Sequence, residues 1–178
     1  MEQVFLSLGS NLGDRLGNLR RAIASLRQFA QIDTLSDAFE SEPVEFTAQP
    51  WFVNAVVALR TNDLPADSLD APLRLLQRLH LIERDLGRQR ISPGFIPKGP
   101  RLIDLDIVLY GSRVIHSPEL TIPHPAMHLR RFVLEPLAQI SPNVEHPLLH
   151  RSALELLQAL PQDGPQVRRL APLEPPEE

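Results

Sequence analysis

None of the chain's 18 prolines falls before Pro43. A proline fixes φ and removes a backbone donor, so helix interiors and central strands need windows nearly free of it. The first 42 residues are therefore open to regular structure. The remainder must alternate short elements with loops that proline holds in shape. The end of the chain, LAPLEPPEE, has too few apolar side chains to pack. Residues 166–178 are expected to form a disordered tail behind a single domain at residues 1–165.

Apolar spacing fills in the elements. Residues 4–8 read as a strand that Gly9-Ser10-Asn11 stops. Leu16, Leu19, Ala22, Ile23 and Leu26 recur at helical spacing, with Asp14 as N-cap. Residues 32–39 and 51–59 read as strands around a Pro-containing loop at 41–50. Leu69, Leu73, Leu76, Leu79 and Leu86 mark a second helix. Residues 87–100, GRQRISPGFIPKGP, cannot be regular. A fourth strand spans 103–110, a short one covers Val114 and Ile115, and helices follow near 127–140 and 152–160. The order βαββαβ disfavours a doubly wound parallel sheet. It predicts an α+β fold with a ferredoxin-like βαββαβ core, extended by a C-terminal strand and helices.

Composition narrows the function. The chain has 178 residues, a net charge of -4 and no cysteine. It lacks the overall basic field that nucleic-acid binding uses, any disulfide framework and any thiolate zinc site. The N-terminus is no secretory signal, and no apolar stretch nears the roughly 18 residues of a membrane span. The expected location is the cytoplasm, without nucleic acid, membrane or an obligate protein partner.

Two clusters carry chemistry. In the run IDLDIVLY, Asp104 and Asp106 share one strand face, about 6–7 Å apart. Ile103, Leu105, Ile107 and Leu109 are expected on the other face. Two such carboxylates suit magnesium, which takes few protein oxygens and completes its shell with phosphate. A strand with a solvated outer face is the plain alternative. Just before them, Arg84, Arg88, Arg90, Lys98 and Arg101 crowd into 18 residues among glycines. Arginine forks bind phosphate oxygens bidentately, which favours a nucleotide over a merely solvated patch.

These pieces, taken in order, resemble the 6-hydroxymethyl-7,8-dihydropterin pyrophosphokinases of folate synthesis. The stretches are LGSNLGDR, ESEPVEFTAQPWFVNAVVAL, IERDLGRQR, GPRLIDLDIVLYG and LTIPHPAMHLRRFVLEPL, spanning roughly residues 3–147. The resemblance implies transfer of pyrophosphate from ATP to the pterin hydroxymethyl group, with Mg2+, two ions, on Asp104 and Asp106. Phe52 and Phe132 would stack on the pterin, Asn54 would read its edge, and Ser41, Pro43 and Val44 would line its pocket. Arg88, Arg90, Arg101 and Arg130 would face phosphate, with Arg90 and Arg101 acting on the transferred group. Glu83, Lys98, Ile107, Thr121 and His124 fall at positions around the nucleotide. Lys98 stands where some relatives carry an aromatic, Glu42 where a second proline occurs, and Glu119 where some have arginine. A nucleotidyltransferase is a competing enzyme reading, but Ser10 and Asp104 lie far apart for its motif. An RNA-binding module is another, and the acidic pair opposes it.

Overall fold

The computed structural model describes residues 2–61, 70–88 and 98–174. It is an α+β structure built on an antiparallel sheet. The elements run β1 (Val4–Ser10), α1 (Arg15–Leu26), β2 (Ala30–Leu35), β3 (Ala38–Ser41), β4 (Phe52–Thr61), α2 (Ala71–Asp85) and β5 (Asp104–Tyr110). There follow β6 (Ile115–His116), β7 (Thr121–Ile122), a 3-10 turn at Met127–Leu129, α3 (Arg131–Ile140), β8 (Glu145–His146), β9 (Arg151–Ser152), α4 (Ala153–Gln158) and β10 (Val167–Ala171). The main sheet has the order β10-β3-β4-β1-β5, with β2 also pairing β4.

Alternation along the central strands sorts the side chains. Val4, Leu6 and Leu8 of β1 join Val53, Ala55, Val57 and Leu59 of β4 in one core, covered by Leu19, Ile23 and Leu26 of α1 and Leu75 and Leu79 of α2. The opposite face is divided. At one end Phe5, Val56 and Ala58 are buried under Val133, Leu134 and Leu137 of α3 and Leu156 of α4. At the other end the same strand faces carry Ser7, Gly9, Phe52 and Asn54, and these stay open as the wall of a cavity.

Local signals explain the boundaries. Asp14 caps α1 by accepting from the Gly17 amide at 2.9 Å, as its position before the apolar stripe predicts. The end of α2 is a Schellman motif. Gly87 has φ +98, its amide donates to the Arg84 carbonyl at 2.9 Å, and the Arg88 amide donates to the Glu83 carbonyl at 2.9 Å. Only a residue free of Cβ strain takes that turn cheaply, and the turn delivers Arg88 to the cavity.

Three expectations need correction. The strand expected over 32–39 is broken at Ser36 and Asp37, where the Ser36 hydroxyl accepts from the Val56 amide at 2.9 Å and so does a strand carbonyl's work. In β5 the register against β1 passes from Leu6–Ile107 to Phe5–Leu109, leaving Val108 as an extra residue. Such a bulge reverses facing beyond it. Leu105 and Ile107 therefore enter the first core, whereas Leu109 turns to the second. Finally, residues 167–171 of the expected tail form β10, paired with β3. Leu173 beyond it is 3% exposed in the first core. Strand pairing and Leu173 dock the segment, and two ion pairs add to them: Arg168 reaches Glu40 at 2.5 Å and Arg169 reaches Asp37 at 2.5 Å.

Candidate functional site

A cavity of about 310 Å³ opens on the polar end of the sheet. Its floor follows from strand pairing: Ser7 lies opposite Asp106 and Gly9 opposite Asp104, while Gly9 also pairs Asn54. A Cβ on Gly9 would come 3.2 Å from Asn54 Oδ1 and 3.7 Å from the Phe52 ring. Glycine there lets both side chains lie down over β1.

One side of the cavity is flat and directional. Phe52, Asn54, Ser41, Pro43, Val44 and Phe132 all line it. Asn54 is 3% exposed, and its Nδ2 donates to Ser41 Oγ at 2.6 Å. That bond fixes the amide, so its carbonyl oxygen is oriented as well. Each phenylalanine has a guanidinium against its ring, Arg101 at 5.7 Å from the centroid of Phe52 and Arg130 at 5.6 Å from that of Phe132. An aromatic face next to a cation suits a flat, electron-rich ring.

The other side is charged. Arg88, Lys98, Arg101 and Arg130 line the cavity with Asp104 and Asp106. Arg101 Nη1 donates to Asp104 Oδ2 at 2.7 Å, and Arg88 bonds the other oxygen of the same carboxylate. Arg88 Nη1 also donates to Glu83 Oε1 at 2.6 Å. Glu83 is 1% exposed at the end of the buried stripe of α2 that includes Leu75 and Leu79. Its carboxylate accepts from the Leu105 amide at 2.8 Å. Glu83 thus sits beneath the cavity, holding Arg88 and the start of β5 from below. Burial opposes the charge of Arg88, but the carboxylates of Asp104 and Glu83 outweigh it and keep the guanidinium firmly charged.

Asp106 differs. Burial, then the neighbouring charges of Asp104 and Glu83, push its carboxyl up to about 7. Arg130 and Arg88 lie near enough to oppose that rise without cancelling it. His124 moves the other way, held down to about 4 by burial and then by Arg130. Its Nδ1 accepts from the Ala126 amide at 3.1 Å. The neutral ring therefore presents Nε2–H as a donor.

Most of the residues singled out in the sequence meet in this cavity. Arg90 lies outside the described residues. Ile107 is 3% exposed in the core, so its side chain does not reach the cavity. Thr121 sits in the β6–β7 hairpin opposite His116, and neither it nor His124 is among the residues that line the cavity. Sequence reasoning missed Ser7, Gly9, Glu45 and Gln49, which also line it. The period-two pattern of β1 carried the signal for Ser7 and Gly9, since both alternate with the apolar Leu6 and Leu8. Asn11, placed by the sequence in the stop after the first strand, is 2% exposed and bonds both Gln49 and Pro50 through Nδ2, at 2.9 and 3.0 Å.

The main sheet thus sets an aromatic slot beside paired carboxylates and arginines, an arrangement suited to a flat ring and a polyanion held side by side. A profile of the 7,8-dihydro-6-hydroxymethylpterin-pyrophosphokinase (HPPK) family matches residues 5–142, and the chain belongs to that family. The 2-amino-4-hydroxy-6-hydroxymethyldihydropteridine pyrophosphokinase of Aquifex aeolicus is 37% identical over 87% of this chain and 90% of its own. That of Bacillus subtilis is 41% identical over 79% of each. The chain also matches the folic acid synthesis protein fol1 of Schizosaccharomyces pombe, 40% identical over 90% of this chain, but spans only 21% of that protein's length. Among solved structures, an HPPK-DHPS in complex with substrates shares the fold at a TM-score of 0.69, with 13% identity over 89% of this chain and 43% of the other. Among the described residues, no helix is long and apolar enough to cross a membrane.

Proposed function

We propose that the chain transfers the pyrophosphoryl group of ATP to the hydroxymethyl oxygen of 6-hydroxymethyl-7,8-dihydropterin. The observation that carries this reading is the meeting, in one cavity, of the slot formed by Phe52, Asn54, Ser41 and Phe132 with the carboxylates and arginines of the opposite wall. Names carried by relatives at 37% and 41% identity support the same chemistry. The strand order supports a ferredoxin-like core.

The hydroxymethyl oxygen attacks the β-phosphorus of ATP. A new P–O bond forms, the bond to the α-phosphate oxygen breaks, and AMP leaves with the electron pair. Such transfer rests on alignment and charge neutralisation. Phe52 and Phe132 grip the pterin faces, and Asn54 with the backbone of 41–44 reads its edge. Arg88, Arg101 and Arg130 receive the phosphates, with Lys98 at the mouth and the Nε2–H of His124 as a neutral donor nearby. Arg90 belongs to the same group by family position. The alcohol's proton departs to solvent or a phosphate oxygen, with Asp104 and Asp106 assigned to the metal rather than to proton abstraction.

Asp104 and Asp106 fit magnesium, two hard carboxylates in a pocket where burial and like charge leave Asp106 near neutrality. When bound there, the metal would neutralise phosphate oxygens and draw Asp106 into its ionised form. A cytoplasmic setting follows from the proposed substrates.

The test supplies ATP and the pterin separately and together and follows AMP. AMP is expected only when both are present. No AMP under that condition removes the reading.

A further inference from the structure

Glu45 and Lys98 face each other across the cavity mouth. Glu45 belongs to the loop that follows β3, on the pterin side, and Lys98 to the segment that leads into Arg101. Lys98 Nζ lies 2.8 Å from Glu45 Oε1, and Arg130 Nη2 lies 3.7 Å from the same oxygen. A second tie runs through the backbone. Gln49 Nε2 donates to the Lys98 carbonyl at 3.1 Å and to the Phe46 carbonyl at 2.6 Å. Lys98 adopts φ +61, a left-handed conformation unusual for a residue with a side chain. That turn presents its carbonyl to Gln49 while its ammonium meets Glu45. The loop is thus bound to Lys98 at two independent points. Glu45, Gln49, Lys98 and Arg130 all line the cavity itself.

The anion held by these cations comes from the protein. Resting on the phosphoryl-donor reading of the same cavity, we infer that Glu45 is a built-in competitor of the nucleotide, an anion that the polyphosphate must displace from Lys98 and Arg130 before it can be seated. Glu45 then sets nucleotide affinity without touching the reacting atoms. Its displacement also unfastens the pterin-side loop from Lys98, leaving the Gln49 tie as the remaining link. Nucleotide arrival and freedom of the pterin-side wall become coupled through one carboxylate. The strength of the gate is limited by solvent, because the side chains of Lys98 and Glu45 are 62% and 41% exposed. Exposed pairs shift an equilibrium by only a few-fold, about threefold to fivefold here.

The experiment is calorimetric titration of ATP with magnesium into the wild-type chain, Glu45→Gln, Lys98→Met and the double variant. Both residues are exposed enough for the fold to survive, which thermal melting verifies. Glu45→Gln is expected to bind ATP about threefold to fivefold more tightly than wild type. In the Lys98→Met background the same change is expected to gain less than about twofold, because the main cation that Glu45 occupies is gone. Equal gains in both backgrounds would show a general field effect and overturn the competitor. No gain in either background overturns it too. A wild-type chain that binds no ATP defeats the phosphoryl-donor reading itself, which keeps the two failures apart.

Discussion

Asn11 and Arg101 exchange two hydrogen bonds across 90 residues of sequence. The Asn11 amide donates to the Arg101 carbonyl at 3.1 Å, and the Arg101 amide donates to Asn11 Oδ1 at 2.8 Å. The Nδ2 of the same side chain ties down Gln49 and Pro50. One buried amide thus sets the pterin-side loop and the phosphate-side arm in a common frame. Asn11→Ala leaves several of these groups unpaired and is expected to lower stability by about 2 kcal/mol. It should also weaken ATP binding, because Arg101 loses one of its two ties to residue 11. Urea unfolding and ATP titration check both effects. Loss of stability with ATP affinity unchanged would confine Asn11 to a structural part.

Asp104 organises the arginines as well as offering a metal ligand. It accepts from Arg101 and from Arg88 on its two oxygens. At Asp106 burial and like charge prevail, and Arg130 and Arg88 offset them only in part. Replacing either with alanine is expected to cut turnover by about a hundredfold or more. The two should differ in stability. Asp106→Ala removes a group that burial disfavours in its charged form, so the melting temperature should hold or rise. Asp104→Ala takes the shared carboxylate away from two guanidinium groups, leaving Arg88 only Glu83, and should lower it. Near-normal turnover in Asp106→Ala would remove that residue from the proposed metal pair.

Phe132 opens α3 at the edge of the cavity, with Arg130 against its ring. Phe132→Ala deletes one stacking face and leaves the arginines and carboxylates in place. Pterin affinity is expected to fall about tenfold, with ATP affinity changed less than about twofold. Separate titrations of the two ligands decide it. A selective loss of ATP binding would contradict the assignment of this face to the pterin.

The parts of the fold legible in the sequence were those in which one local pattern decides the outcome. The stripe Leu19, Ala22, Ile23, Leu26 behind Asp14 makes α1, and the alternation around Asp104 and Asp106 puts both acids in the cavity. Local pattern failed where a partner distant in sequence decides. The bulge at Val108 is set by pairing with β1, and nothing in IDLDIVLY announces it. Glu45, Gln49 and Asn11 read as ordinary loop polar residues, because their roles come from each other. β10 was hidden for a related reason: its composition is that of a tail, and its partners, the strand β3 and the carboxylates Asp37 and Glu40, lie more than 120 positions away.

Those carboxylates make the docking of β10 sensitive to pH. The Arg169 hydrogen bond is the main influence holding the Asp37 carboxyl below its ordinary range, and Arg168 does the same for Glu40. A carboxyl depressed in the folded state stabilises that state above its unfolded pKa, and the contribution disappears as pH falls through the folded value. Docking should therefore be constant from neutrality down to about pH 5 and weaken below about pH 4. Both arginines are well exposed, at 68% and 62%, so screening keeps the effect modest and salt should reduce it. The single tryptophan is well placed to report it. Arg168 lies 5.2 Å from the centroid of the Trp51 ring, and Trp51 adjoins the start of β4 beside Phe52. Acid titration is expected to change Trp51 emission with a midpoint below the ordinary carboxylate range, before global unfolding. The double variant Arg168→Ala, Arg169→Ala should flatten that step and lower the melting temperature at pH 7. A chain truncated before Gln166 should lose more, since Leu173 leaves the core as well. Unchanged melting in both would mean that β10 adds nothing to the sheet it extends.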